Sequence, residues 1–339
     1  MTRKSAGTPI RIWALLGARA GDNDQVIAVA ELLGLPFEIK QLEYNHLRRL
    51  GPRLLGRSLA SLARRSRQII AGEPAPDLTI SVGHRSVPVA RALRHRSHGH
   101  TRSIHIGFPR VSPGIFDLLI TTPQYPVPDH PNVLRIPYAF TRAATTSLNP
   151  LDGEKSVALP APRRLLIVGG PNLYWRIDEP LLLQTLAAML DEGRKQNGSV
   201  LVTTSPRTPA PLQRALANML EGADVPTLLT GPGGAPTLAQ LLAAADSIRV
   251  TADSVAMVSD AIWTGKPVAL VRIAMSRLGR TVLGIMDRVR ASRPVHPQDL
   301  RFFWRELAAI GVTDRLSSPR GRTQEQVSRI RHRIEAVLD

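Results

Sequence analysis

Residues 250–271 read VTADSVAMVSDAIWTGKPVALV, and this stretch decides the fold. Ile248–Thr251 is a short apolar strand. Ala252-Asp253-Ser254 interrupts it with residues that cap helices. Val255–Trp263 reads as a helix that stops at Thr264-Gly265, and after Lys266-Pro267 a second buried strand spans Val268–Val271. The unit is strand, helix, strand, with Asp and Ser where the first strand hands over to the helix. Such a junction offers backbone N–H groups and the positive end of a helix, which suits a phosphate or a sugar hydroxyl. The plain alternative is a capped helix without a ligand.

The same alternation extends outward in both directions. Towards the N-terminus, Ile10–Leu16 reads as a strand, followed by the loop 17–24, a helix over about 25–33 and a strand over 36–42. The glycines of that loop do not form GxGxxG, so no dinucleotide site is indicated. Leu78–Val82 is a strand, then Gly83-His84-Arg85-Ser86, then a helix from Val87 to about Arg94. Ser103–Gly107 and Phe116–Thr121 are further strands. Residues 143–163 lack periodicity and read as a linker. Beyond them come a strand at Arg164–Val168, Gly169-Gly170-Pro171-Asn172, a helix over 179–192, a strand at Ser199–Thr203 and the polar run 204–209. A helix over 211–220, a weak strand at Leu228-Leu229 and a helix over 238–245 lead into the focal unit. Two tail helices, 297–310 and 323–338, close the pattern.

Composition bounds the function. The chain has 339 residues, 43% of them hydrophobic, enough for one or two folded domains. No apolar run is long enough to span a bilayer. The basic start runs into Ile10–Leu16, a core strand, which argues against a signal peptide. With no cysteine, disulfides and thiolate metal sites are excluded, and the nine His show no metal-ligand spacing, so no metal is expected. The net charge is +17, and 39 of the 44 basic residues are Arg. Residues 1–150 hold 20 Lys/Arg against 9 Asp/Glu. A basic half of this kind suits nucleic acid, an anionic membrane surface or a phosphorylated substrate. An aromatic content of 4% gives little base stacking, which disfavours nucleic acid. A solvated, Arg-rich surface accounts for the charge equally simply. Segment 44–70, YNHLRRLGPRLLGRSLASLARRSRQII, reads as a basic amphipathic helix interrupted at Gly51-Pro52. Its Leu stripe packs inward or, on the functional reading, meets a membrane.

Asp22, Asp24 and His84 are the acid/base candidates of the first half. In the second half Gly169, Gly170, Asn172, Thr204, Ser205, Arg207, Asp253, Ser254, Ser259, Asp260 and Lys266 gather at strand ends, where open parallel sheets bind ligands.

The segments AGDNDQ (20–25), PDLTISVGHRSVPVA (76–90), FDLLITTPQ (116–124), IVGGPN (167–172), TTSPRTP (203–209) and VTADSVAMVSDAIWTGKPV (250–268) together resemble the mitochondrial-fission "elongated mitochondria" family. Its bacterial members are described as glycosyltransferases. Asp260 stands where that family commonly has Glu, and Ala256 replaces a usual Ser. The resemblance implies a GT-B-like fold, with two Rossmann-like α/β domains facing across a cleft and C-terminal helices returning to the first. The expected divisions are 1–142 (acceptor side), 143–163 (linker), 164–295 (nucleotide-sugar side) and 296–339 (helices). It further implies a nucleoside-diphosphate sugar as co-substrate with no other cofactor, held by the second-half residues above. An anionic glycan or lipid-linked acceptor, as in a cell envelope, would lie near Asp22, Asp24 and His84. The expected location is cytoplasmic, peripheral to the inner face of a membrane. A non-catalytic membrane adaptor is the rival reading.

Overall fold

The computed structural model describes residues 10–148, 157–288, 296–319 and 322–338. Backbone contacts divide the chain into two units. One comprises Met1–Ile136, Phe140–Arg142 and Val327–Asp339; the other comprises Pro137–Ala139 and Ala143–Gln326. Each is an α/β unit built on a parallel sheet.

The first sheet holds β1 (Ile12–Leu16), β2 (Phe37–Gln41), β3 (Leu78–Val82), β4 (Arg102–Ile106), β5 (Leu118–Thr121) and β6 (Val133–Arg135) in the order β2-β1-β3-β4-β5-β6. The residues of β1, IWALL, are buried throughout. A central parallel strand is covered on both faces, so it reads as an unbroken apolar run. Trp13, Leu15, Leu42, Leu62, Ile70, Val89 and Leu93 form the core on one side. The helices are α1 (Ala20–Leu32), α2 (Pro52–Leu55), α3 (Arg64–Gly72) and α4 (Gly83–Arg96).

α5 (Arg142–Leu148) leads towards the second unit. The strands there are β7 (Arg163–Val168), β8 (Trp175–Ile177), β9 (Ser199–Thr204), β10 (Thr227–Thr230), β11 (Ser247–Thr251), β12 (Val268–Val271) and β13 (Ile273–Met275). The main sheet is ordered β10-β9-β7-β11-β12, all parallel, and β8 pairs with β13 antiparallel. α6 (Glu179–Lys195), α7 (Ala210–Glu221), α8 (Leu238–Ala244), α9 (Val255–Trp263), α10 (Arg277–Arg288) and α11 (Arg301–Ala309) follow, then α12 (Arg322–Leu338). Leu166, Val168, Leu182, Leu186, Met189, Val200, Val202, Leu212 and Leu216 share one core.

Strand order fixes where a ligand can sit. In the second sheet the chain runs from β7 outward through β9 to β10. It then crosses back to the other side of β7 as β11 and β12. The order reverses between β7 and β11, and their carboxyl ends flank the crevice where such sheets bind ligands. In the first sheet the reversal lies between β1 and β3.

Several boundaries differ from those expected. α1 begins at Ala20, not 25, and α4 at Gly83, not Val87. Both starts are polar and lack an apolar stripe, and local side-chain hydrogen bonds hold both in place without capping their first N–H groups. Asn23 bonds Gly17 through both its amide N–H and its carbonyl, and the Ser86 hydroxyl donates to Val82 and Gly83. Segment 44–70 is not one helix. Asn45 closes it into a loop, accepting from Leu47 N–H and donating to the carbonyls of Ala60 and Leu62. Leu62 is buried, but Leu50 and Leu54 are 42% and 79% exposed, so no single inward stripe exists. The expected linker begins as α5, and its residues 149–156 lie outside those described, as do 1–9 and 289–295.

Candidate functional site

In the second unit the glycine turn after β7 and the junction after β11 are locked together. The Asp253 carboxylate accepts from the Thr251 hydroxyl at 2.7 Å, from Gly170 N–H at 3.0 Å and from Arg207 Nη2 at 2.8 Å. Its side chain is 1% exposed, whereas Arg207 is 43% exposed. Thr251 Oγ1 in turn accepts from Gly169 N–H at 2.8 Å. Arg207 also donates to the carbonyls of Gly170 and Pro171. Thr208 donates to the carbonyls of Val168 and Gly169 and accepts from Ser205 N–H. A buried carboxylate needs such partners to offset its desolvation.

This network revises the expected roles. Asp253 is not a ligand contact; it is sealed, and it holds the turn and aims Arg207. The glycines do not open space for a ligand. A Cβ on Gly169 would lie 2.1 Å from Asp253 Oδ1, and one on Gly170 would lie 2.2 Å from the Arg207 carbonyl oxygen. Glycine is required there so that the carboxylate and the next loop can pack against the turn. Asn172 accepts from Tyr174 and Trp175 N–H, which ties the turn to β8. Thr204 is buried and donates to Thr230. Ser259 is buried inside α9, donating to the Val255 carbonyl and accepting from Ala139 N–H at 2.9 Å. Lys266 donates to the Leu242 and Ala243 carbonyls at the last turn of α8, a helix-end cap and not a phosphate contact.

What remains accessible is a short arc. Arg207 presents its half-exposed guanidinium beside Asp253. Ser254, the N-cap of α9, accepts from Met257 N–H, and residues 254–257 are half-exposed. Asp260 is half-exposed, six residues beyond the cap, or about 9 Å along the helix axis. α9 starts where it does because Ser254 caps it, and it ends because Gly265 takes a φ of +68° that other residues resist. The indole of Trp304 donates to the Ala252 carbonyl at 3.0 Å and packs edge-on against Trp175, with ring centroids 4.6 Å apart. This aromatic pair ties the junction to α11 and β8. Thr208 and Thr251, essential to the network, escaped the sequence reading. Their signal was spacing, three residues after Ser205 and two before Asp253.

The acid/base candidates of the first unit fare unevenly. Asp24 accepts from Arg142 N–H at 2.8 Å and so caps α5, which removes it as a free base. Burial raises its carboxyl, opposed by Arg142. Asp22 is half-buried in the first turn of α1. Burial raises its carboxyl also, against the pull of Arg19 and Arg85. His84 stands in the first turn of α4, and burial pushes its imidazole down to about 4, with Arg110, Arg85 and Arg19 adding repulsion. It is a weak base at neutral pH. Beneath it, His105 is fully buried, its Nδ1 2.8 Å from the Ser81 hydroxyl and its Nε2 without a partner.

Among the described residues no helix is long and apolar enough to cross a membrane, and no group of three or more His, Asp or Glu could hold a metal ion. Among solved structures the chain is similar to UDP-GlcNAc 2-epimerase from Methanocaldococcus jannaschii (12% identity, TM-score 0.49, 95% of this chain and 99% of that one). It is also similar to MurG of Acinetobacter baumannii (15% identity, TM-score 0.46, 97% and 94%). In sequence, 244 residues are 26% identical to mitochondrial fission protein ELM1 of Arabidopsis thaliana, covering 63% of this chain and 55% of that protein. The chain thus spans about half the length of that relative. Residues 20–299 match the family model described as Mitochondrial fission ELM1, and the chain belongs to that family.

Proposed function

We propose that this protein is a glycosyltransferase that moves a sugar from a nucleoside-diphosphate sugar to an anionic, cell-envelope or lipid-linked glycan acceptor. The observation that carries the reading is Arg207. Its half-exposed guanidinium is aimed by a sealed carboxylate and stands beside the N-terminus of α9, at the point where the second sheet reverses its strand order. An anion at that point meets a planar donor fork and a helix N-terminus together. The diphosphate of the donor is the anion that fits. When the bond from the sugar's anomeric carbon to the phosphate oxygen breaks, negative charge grows on the leaving diphosphate. A fixed guanidinium and helix amides stabilise that charge in the role a metal ion plays elsewhere. Asp260, further along α9 and half-exposed, is the candidate for contact with sugar or ribose hydroxyls. The acceptor hydroxyl forms the new bond to the anomeric carbon, and its proton passes to a carboxylate. Asp22 is the candidate in the first unit, half-buried and with its carboxyl raised.

Titration calorimetry with UDP, GDP, ADP, CDP and dTDP tests this reading. One of them binds the wild type, and Arg207→Gln weakens it at least tenfold. Failure of all five at millimolar concentration removes the enzyme.

A second reading, a membrane adaptor without catalysis, is favoured by the family's name and by exposed Leu50 and Leu54 beside Arg48, Arg49, Arg53 and Arg57. Flotation with anionic vesicles, lost in Leu54→Asp, together with no nucleotide binding, would select it.

A further inference from the structure

We propose that the carboxyl-end face of the first sheet binds a phosphate or diphosphate group among Arg19, Arg85 and Arg110. These arginines come from three neighbouring strands. Arg19 follows β1 by three residues, Arg85 follows β3 by three, and Arg110 follows β4 by four, while β1, β3 and β4 lie side by side. All three are exposed. Several other arginines of this unit are engaged, Arg11 with Glu38 and Glu73, Arg94 and Arg102 with Asp117, Arg142 with Glu31; Arg48, Arg49 and Arg53 are also unpaired among the described residues, but lie on the segment after β2 and not at these three strand ends. Arg19, Arg85 and Arg110 make no ion pair or side-chain hydrogen bond with any described residue. The adjacent carboxyl ends of β1, β3 and β4 bring them to one face of the sheet, and there, after burial, all three add to the cost of protonating His84.

The surroundings are equally unsatisfied. α1 and α4 both begin at this face, after Leu16 and Val82, and neither has a side-chain cap on its first turn. Near His84, the Nε2 of fully buried His105 has no partner, and burial, with His84 a lesser cause, pushes its imidazole down to about 3. Asp22 is the carboxylate whose charge Arg19 and Arg85 favour, against a larger opposing effect of burial. Three guanidiniums against one carboxylate leave two positive charges, with His84 neutral. A phosphate dianion or a diphosphate balances them, a single carboxylate does not, and guanidinium forks match phosphate oxygens two at a time. Binding there would also relieve the repulsion on His84 and restore its basicity beside the bound group. That this phosphate belongs to a glycan acceptor rests on the sugar-transfer reading; the anion site itself does not.

The test uses the full chain carrying Arg207→Gln, so that the second unit's anion site is weakened, with inorganic pyrophosphate as probe at about 0.15 M salt. Pyrophosphate should bind, and the proton resonance of the His84 ring should report a pKa higher by about one unit or more. Arg19→Gln, Arg85→Gln and Arg110→Gln should each weaken binding about tenfold. Because these side chains are exposed and unpaired, their melting temperatures should stay at the parent value. A control carrying Arg48→Gln, Arg49→Gln and Arg53→Gln should bind as the parent does. An unmoved His84 resonance overturns the proposal. Equal weakening in the control, which would mark mere net-charge attraction, also overturns it. Geranyl diphosphate and a hexose phosphate distinguish a lipid source from a soluble one, by which competes better for the same His84 shift. If no nucleoside diphosphate binds the wild type but pyrophosphate moves His84, the donor reading fails and this site stands.

Discussion

The lock between Gly169 and Asp253 makes a quantitative prediction. In Gly169→Ala the new methyl carbon would sit 2.1 Å and 2.3 Å from the two carboxylate oxygens and 2.5 Å from the carbon bearing them. Ordinary contact begins near 3.4 Å, so the carboxylate must retreat by about 1.3 Å. Its bonds to Thr251, Gly170 and Arg207, now 2.7, 3.0 and 2.8 Å, cannot survive such a shift together. Disrupting a buried, hydrogen-bonded charge costs about 3–5 kcal/mol. Asp253→Ala should cost about as much, because it strands the buried Gly170 N–H and Thr251 hydroxyl at about 1–3 kcal/mol each. The double variant should not cost the sum. The methyl of residue 169 enters the space that the carboxylate has left, so the second substitution adds little. The expected coupling is about 2–3 kcal/mol. Urea unfolding followed by far-ultraviolet circular dichroism measures it, with unchanged slopes as the check that midpoints report stability. Additivity within about 0.5 kcal/mol, or a Gly169→Ala cost below about 1 kcal/mol, would refute the packing argument.

Two further outcomes follow from the same geometry. Lys266→Met leaves the carbonyls ending α8 without their cap and should cost about 1–2 kcal/mol in urea unfolding, while nucleoside-diphosphate affinity in calorimetry stays unchanged. His84 is held near 4 in the folded protein, against 6.5 ordinarily. Between those values the unfolded chain binds a proton that the folded one does not, so the His84 contribution is complete above about pH 6.5 and is lost as pH falls towards 4. Asp22, whose carboxyl is raised, acts in the opposite sense, so the readable quantity is a difference. The urea midpoint of wild type should fall more between pH 7 and pH 5 than that of His84→Gln, and equal falls would contradict the assignment.

The chain made some of this plain and concealed the rest. α9 spans Val255–Trp263 and β12 spans Val268–Val271, the bounds expected, because a Ser cap and a Thr-Gly stop bracket apolar runs. The parallel sheets were legible in the same way, from buried runs such as IWALL and VALV. β8 and β13 were not. They are three-residue strands whose pairing joins Trp175 to Met275, and nothing local announces it. The polar residues at strand ends were found, but their direction was not. Asp253 looks like a ligand contact until its partners are known, and Gly170 and Arg207 lie 83 and 46 residues away. Lys266 is hidden for a similar reason, since its carbonyl partners belong to α8, the helix before α9. Arg19 and Arg110 carry no local signal, being isolated arginines in a chain this basic.

The middle position of β7 also governs how the second unit can be made. β7 leaves the ribosome before any other strand of its sheet, yet one of its edges waits for β11, where Arg164 pairs with Ser247 about 80 residues later. Until then the nascent chain carries Leu165–Val168 with a bare flank, the kind of edge that chaperones shield and that aggregates when they do not. The first unit waits longer still, because residues from Val327 onward belong to it and Arg333 reaches back to the Pro131 carbonyl. Assembly of this protein is therefore weighted towards the period after synthesis, and its yield in a foreign host should follow chaperone supply more closely than its equilibrium stability would suggest.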